Sequence, residues 1–288
     1  MAEKNGLVVG SVAGSAAAPV RVAIAGASGR MGQTLIDAVL GTTDIVLGSA
    51  VDVADSALAG RDAGERFGRR TGVIVGTDVV AAVGAADVLI DFTRPQGTLA
   101  HVVASASAGV AAVVGTTGLS DADQRTLRAH SARIPIVFAP NMSVGVTVLT
   151  KLVEIAAQRL GDDYDVEVVE MHHRHKIDAP SGTALKLGET AAGALGRELA
   201  RDGVFARHGV TGERKSKSIG FATLRGGDVV GEHTVIFAGD GERIELTHRA
   251  ASRMNFAQGA LRAARFVAER RARGESGWFD MQDVLGLR

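Results

Sequence analysis

The arrangement of apolar and polar residues changes character near the middle of the chain. From Val20 onward, short apolar runs alternate with segments of helical spacing. Val20–Ala25 is an apolar run that ends at a glycine, as expected of a strand buried on both faces. Over Gly29–Leu40, Met31, Leu35, Ile36 and Val39 recur at the spacing of a helix face. Further strands are predicted at Ile45–Val51, Ala86–Phe92, Ala111–Val114 and Ile134–Ala139. Pro95 is well placed near a helix start, and Ser120 can cap another helix. Strands alternating with short helices pair in parallel through right-handed crossovers. This half therefore reads as α/β, a Rossmann-like doubly wound parallel sheet.

After Asn141 the pattern shifts. Ser143 can cap a helix over Val144–Leu160. Tyr164–Met171 alternates, with Val166 and Val168 on one side and Asp165, Glu167 and Glu170 mostly on the other. A helix is predicted over Ser181–Leu195. Three strand-like runs follow, Ile219–Leu224, Val229–Phe237 and Arg243–His248. Arg225-Gly226-Gly227-Asp228 and Gly239-Asp240-Gly241 join them as hairpin signals. The expectation is a second α+β domain with a mixed, largely antiparallel sheet. A helix over Phe256–Arg271 comes last. The chain thus divides into a dinucleotide domain at 1–142, a second domain at 143–252, and a 253–288 segment that returns to the first.

Composition narrows the function. At 288 residues the chain has room for roughly two domains of about 150 residues. With 32 basic and 32 acidic residues it lacks the basic excess of a nucleic-acid surface, so any anion must be held by a few local groups. The absence of cysteine removes disulfides, thiolate metal sites and cysteine nucleophiles. The uncharged stretch Pro95–Ser120 holds Gln96, His101 and several Ser, Thr and Gly residues. It reads as helix, turn and strand, so no membrane span is expected. Gly6–Ala18 has a faint signal-peptide outline, but Glu3 accompanies Lys4 and the middle is rich in glycine. Residues 1–19 are expected to be a flexible extension of a cytoplasmic protein.

Two segments carry the candidate chemistry. Gly26-Ala27-Ser28-Gly29-Arg30-Met31-Gly32 joins the first strand to the first helix. Its glycines let the backbone approach a pyrophosphate, while the helix N-terminus offers free N–H groups and the positive end of its dipole. The spacing is G-x-x-G-x-x-G, one residue off the common fingerprint, and a bare glycine turn can serve without ligand. Asp52 ends the second strand about twenty residues later, where a carboxylate would accept from ribose hydroxyls. Asp52 would repel a 2′-phosphate, and Val53 offers no compensating cation, which leaves Arg30 as the available rescue, so NADH is expected to work at least as well as NADPH. The turns Gly115-Thr116-Thr117 and Ala139-Pro140-Asn141-Met142 lie at the C-terminal ends of later strands, the edge where such sheets bind ligands.

The second segment is Glu170-Met171-His172-His173-Arg174-His175-Lys176, followed by Asp178-Ala179-Pro180-Ser181-Gly182-Thr183. Ser181 can cap the next helix, and the N–H groups near Gly182 and Thr183 with the Thr183 hydroxyl and Lys176 suit a carboxylate. A hydride acceptor also needs a proton donor or a cation, a role open to His172 or Lys176. The histidines lack the H-E-x-x-H spacing of a metal site, so no metal is expected. Arg94 and Arg253 are lesser candidates. These residues alone give an oxidoreductase that uses a dinucleotide and acts on an anion. Another two-domain dehydrogenase of a small carboxylate, or a non-catalytic NADH-sensing protein, remains open at this point.

Several segments together resemble the 4-hydroxy-tetrahydrodipicolinate reductase family. They are Gly26-x-x-Gly-Arg-Met-Gly32, Asp91-Phe-Thr-Arg-Pro95, Gly115-Thr-Thr-Gly118 and Asn141-Met-Ser-Val-Gly145. With them go Glu170-x-His-His-x-x-Lys176-x-Asp-Ala-Pro-Ser-Gly-Thr-Ala184, Ile219-Gly-Phe-Ala222, Val230-Gly-Glu-His233 and Ser252-Arg-Met-x-Phe256. The resemblance runs from about Val20 to Leu285. It implies His172 as proton donor or acceptor and Lys176 as second donor. It implies His173, Ser181, Gly182 and Thr183 as ligands of a small cyclic dicarboxylate. Gly26, Ala27, Ser28, Gly29, Arg30, Met31, Asp52, Gly115, Thr116, Thr117, Ala139, Pro140, Asn141 and Met142 would bind NADH or NADPH. A homotetramer built through the second-domain sheets is implied as well. The family often has Glu and Arg where this chain has Asp52 and Val53, which bears on cofactor choice.

Overall fold

A computed structural model of the chain describes residues 18–288, so all but the last two positions of the expected extension lie outside the described residues. The first half runs β1 (Val20–Ala25), α1 (Arg30–Leu40), β2 (Ile45–Val51), β3 (Val75–Gly76), α2 (Val79–Gly84), β4 (Val88–Asp91), α3 (Pro95–Ala108), β5 (Ala111–Val114), α4 (Asp121–His130) and β6 (Pro135–Phe138). The second half runs α5 (Val144–Leu160), β7 (Asp165–His172), α6 (Gly182–Ala194), α7 (Leu199–Asp202), β8 (Gly203–Val204), β9 (Ile219–Arg225), β10 (Gly231–Gly239) and β11 (Glu242–Ala250). The chain ends with α8 (Met254–Ala272), β12 (Gly277–Phe279) and α9 (Met281–Leu285).

The seven-stranded sheet has the order β12-β6-β5-β4-β1-β2-β3, and its strands pair in parallel. Side-chain parity along its strands supplies two cores. Val22, Ile24, Ile90 and Val113 pack with Leu35 and Ile36 of α1 and Ala260 and Ala264 of α8. The intervening Ala23, Leu89, Ala112 and Val114 face α2, α3 and α4. Such double-sided burial is why these strands read as apolar runs rather than alternations, at roughly 1.5–3 kcal/mol per large side chain buried. Short strands and short connections then bring the turns after β1, β4, β5 and β6 to one edge of the sheet.

The five-stranded sheet has the order β11-β10-β7-β9-β8. β7, β10 and β11 pair antiparallel, while β9 runs parallel to β7 and β8 parallel to β9. The Gly239–Gly241 hairpin is present between β10 and β11, with Gly241 at φ 83°. The other hairpin signal misleads. β7 lies between β9 and β10, so residues 226–230 cross over the end of β7 instead of joining neighbours. Its glycines serve that crossing: Gly226 N–H donates to the His172 carbonyl at 2.9 Å and His173 N–H to the Val229 carbonyl at 2.7 Å. Helices α5 and α6 cover one face, where Leu149, Val153, Leu187 and Ala191 meet Val166, Val168, Phe221 and Phe237. Gly188 permits this closeness, because a Cβ there would lie 2.4 Å from the Phe221 ring.

One assignment on β7 reverses. Burial alternates so that Val166, Val168, Glu170 and His172 share the covered face. Polarity groups Glu170 with Asp165 and Glu167 on the open side, yet it is buried. Strict two-residue parity places it inside, and the guanidinium and hydrogen-bond donors described below make that burial tolerable.

Candidate active site

The glycine turn starts with Gly26 at φ +72°, a left-handed conformation that glycine supplies without strain. A Cβ on Gly32 would fall 2.0 Å from the Gly26 carbonyl, so helix α1 can pack on the turn only as glycine. The N-cap of α1 is Gly29, which provides no side-chain cap. Its first N–H groups therefore stay available to an anion, in contrast to α4, α5 and α6, whose serine caps accept those hydrogen bonds. This cradle fits a dinucleotide pyrophosphate. Asp52 at the end of β2 accepts from the Ser28 N–H at 2.6 Å, from the Ser28 hydroxyl, and through its other oxygen from the Val53 N–H at 2.8 Å. It thus braces the turn.

The Gly115–Thr117 turn is rooted in a buried polar network that sequence reasoning missed. Asp91, at the end of β4, is fully buried. One of its oxygens accepts from Thr93 N–H and Oγ1, both at 2.7 Å, and from Thr98 Oγ1 at 3.2 Å. The other lies 2.7 Å from His101 Nδ1. Thr98 Oγ1 is 2.6 Å from Thr116 Oγ1, which ties the Gly115–Thr117 turn to α3. Thr116 and Met142 have buried side chains, whereas Thr117 and Pro140 are exposed at the edge. Asn141 joins the halves. Its Oδ1 accepts from Ser143 N–H at 2.9 Å, and its Nδ2 donates to Thr183 Oγ1 at 3.0 Å.

On β7, Glu170 is the hub. Its two oxygens receive Ser181 N–H at 3.1 Å, Arg225 Nη2 at 2.9 Å, Arg225 Nη1 at 2.9 Å and His172 Nδ1 at 2.6 Å. Burial alone would raise the carboxyl's pKa. The bonds from Arg225, His172 and the Ser181 N–H outweigh it and hold the group below the usual carboxylate range, hence ionised. For His172, burial dominates and pushes the imidazole below its ordinary value. Glu170 opposes that shift, and Lys176 and Arg225 add to it. Ser181 caps α6 by accepting from Ala184 N–H at 3.2 Å, and it also meets His233 Nε2 at 3.0 Å. Lys176 Nζ rests on Asp178 at 2.8 Å. Sequence reasoning passes over Glu170 and Arg225 as functional residues. The available signal is that Glu170 and His172, two apart, share one strand face.

Of the expected site residues, the structure brings Arg30 and His173 to one cleft, while His172, Lys176, Ser181, Gly182, Thr183 and Asp52 are not among its lining residues. A cleft of about 800 Å³ is lined by Arg30 of the glycine turn and by His173, Arg174, His175, Gly227, Asp228 and Arg253. Arg253 therefore faces the cleft. Arg94 is exposed at the N-cap of α3 and is not among the lining residues. Three arginines against one carboxylate give the walls a strongly cationic character, suited to a small polyanion.

Fold and site together define a two-domain α/β protein of the dinucleotide-binding class, with an anion-receptive cleft between the glycine turn and a histidine-rich strand end. The comparisons specify the family. Residues 20–142 match the family model "Dihydrodipicolinate reductase, N-terminus", and residues 145–285 match "Dihydrodipicolinate reductase, C-terminus". The 4-hydroxy-tetrahydrodipicolinate reductase of Aromatoleum aromaticum is 59% identical over 270 residues, 94% of this chain and 96% of that protein. The enzyme of the same name from Burkholderia ambifaria is 58% identical over 269 residues, 93% of this chain and 100% of that protein. A solved dipicolinate-bound dihydrodipicolinate reductase from Paenisporosarcina sp. TG-14 shares the fold, with a TM-score of 0.71 at 23% identity over 92% of this chain and 98% of that one. The chain belongs to the dihydrodipicolinate reductase family, also named 4-hydroxy-tetrahydrodipicolinate reductase.

Proposed function

We propose that the chain reduces (2S,4S)-4-hydroxy-2,3,4,5-tetrahydrodipicolinate to tetrahydrodipicolinate, with loss of water, in lysine and diaminopimelate biosynthesis. The observation that carries this reading is the shared cleft, in which Arg30 of the glycine turn faces His173 of the cationic segment. Gly26 to Met31 would hold the cofactor pyrophosphate and Asp52 the ribose. Gly115 to Thr117 and Ala139 to Met142 would border the nicotinamide. Bound NADH or NADPH supplies the hydride. His173, the N–H groups of Gly182 and Thr183, and the Ser181-capped helix end would take the substrate carboxylates. His172 then delivers or accepts the proton through Nε2, since Nδ1 is committed to Glu170 at 2.6 Å. A dianionic substrate nearby raises the imidazole's proton affinity against the burial that lowers it, which readies it as an acid in the complex. Lys176 is the second donor.

In this reading the described part of residues 1–142 with 253–288 forms the cofactor unit, and 143–252 the substrate and assembly unit. The face of the second sheet away from α5 and α6 supports a homotetramer. It carries Val169, Met171, Ala222, Leu224 and Ile236, with Leu224 47% exposed. No helix among the described residues is long and apolar enough to cross a membrane, and a cytoplasmic location suits the proposed pathway. The test is loss of NADH absorbance with enzymatically generated substrate, for the wild type and His172→Gln. The variant should lose about 10²–10⁴-fold in kcat while its NADH affinity stays near wild type. Absence of wild-type turnover, or a fully active variant, refutes the assignment.

A further inference from the structure

The carboxylate that grips His172 is saturated. An ionised carboxylate has about four acceptor sites, and Glu170 fills them with His172 Nδ1, the Ser181 N–H and both terminal nitrogens of Arg225. The guanidinium is itself fixed, its Nη1 also donating to the Leu224 carbonyl and its Nη2 to the Asp178 carbonyl, both at 2.6 Å. Arg225 ends β9, which runs parallel to β7 and pairs it with His172 in register. A carboxylate bound only to an imidazole would draw the ring's proton toward itself and strengthen its hold on the imidazolium. A bidentate guanidinium on the same oxygens removes much of that pull while locking the carboxylate's plane. On the other side of the ring, a Cβ on Gly231 would lie 2.9 Å from His172 Nε2, so β10 leaves a slot that only glycine permits. Nε2 has no hydrogen-bond partner among the described residues.

We infer that Arg225 is a positioning residue for the proton step, acting through Glu170 to orient the His172 ring and to limit the carboxylate's hold on the imidazolium. This rests on the reading of His172 given above. The groups that face the ring are Glu170 on its own strand, Arg225 on β9, His233 on β10 and Lys176 on the following loop. The His233 and His172 ring centroids are 5.1 Å apart, edge to face. Beyond these, Asp178 pairs with Lys176, and His248 is opposite His233 on β11. Among them Glu170 alone raises the proton affinity of the imidazole, while Arg225 and Lys176 lower it along with burial. Removing the two partners must therefore move His172 in opposite directions. A merely structural pair would not do that, because its loss would loosen the site in the same sense from either side.

The experiment is an NMR titration of the His172 imidazole in the full chain, beside the pH profile of kcat/KM. The variants are Arg225→Met, Arg225→Lys and Glu170→Gln. Arg225→Met should move the His172 midpoint, and the matching limb of the profile, to higher pH. Glu170→Gln should move both to lower pH. Each should lower kcat at least about tenfold, less than the about 10²–10⁴-fold expected for loss of the proton-transferring group itself. Arg225→Lys should keep the midpoint close to wild type and recover part of kcat. Midpoints that move together, or an unmoved midpoint in Arg225→Met, overturn the proposal. If Glu170→Gln fails to fold, the Met-against-Lys contrast at position 225 decides alone. Because the titration needs no turnover, it also separates failure of this idea from failure of the reductase assignment, which shows as an inactive wild type.

Discussion

Mild acid should destabilise the protein through His233, above the pH range in which carboxylates titrate. The residue is 4% exposed, and its Nδ1 is buried without a partner. Ser181 Oγ accepts from Ala184 N–H and also lies 3.0 Å from His233 Nε2, so the two side chains share one hydrogen bond. Burial, followed by the nearby His172, pushes the imidazole from 6.5 down to about 4, against a smaller upward pull from Glu170. The unfolded chain therefore binds this proton more readily than the folded one between about pH 6.5 and 4, and stability must fall as the pH drops through that window. At about 1.4 kcal/mol per unit the full penalty is about 3 kcal/mol, of which about 2 kcal/mol is reached by about pH 5. For a cooperative unit of about 150–250 residues that is a fall in Tm of about 4–8 °C. The assay is thermal unfolding from about pH 7.5 to 5, at fixed protein concentration, for the wild type and His233→Gln. Glutamine can still hydrogen-bond Ser181 but does not titrate. His172 and His248, both lowered chiefly by burial, keep a shallower slope in the variant. Parallel curves for the two proteins would refute the argument.

Two further outcomes follow from the cofactor half. NADH should match or exceed NADPH in kcat/KM, because Asp52 is an acidic residue at the proposed ribose position and the neighbouring Val53 is 64% exposed with no cation to offer; a tenfold preference for NADPH would overturn this. Gly259→Ala should destabilise by about 1–3 kcal/mol or more, since the added Cβ would lie 1.7 Å from the Met142 carbonyl oxygen at the junction of α8 with the Ala139–Met142 turn; an unchanged urea midpoint would show that α8 can shift freely.

What the sequence disclosed and what it concealed divide along physical lines. Strands buried on both faces and helices with serine caps announce themselves locally, and β1, α5 and the caps at Ser120, Ser143 and Ser181 lie where propensity and spacing put them. Strand order is not local. Nothing in Arg225-Gly226-Gly227-Asp228 tells whether the next strand pairs with the previous one or crosses to the far side of β7, because the same glycines serve either course. The buried hubs are hidden for a related reason. Glu170 and Asp91 are charged residues inside, and a reading that assigns charge to the surface must misplace them. Their partners lie far along the chain: Arg225 is 55 residues from Glu170, and Thr116 is 25 from Asp91. Burial of a carboxylate costs several kcal/mol unless such partners converge, so a fold keeps one only where the convergence itself is useful. The position where side-chain parity contradicts polarity, Glu170, is the position that holds His172. In a strand with clean alternation, a charged residue in the wrong phase is thus a signal of function that the amino-acid order itself carries, provided parity is trusted over polarity.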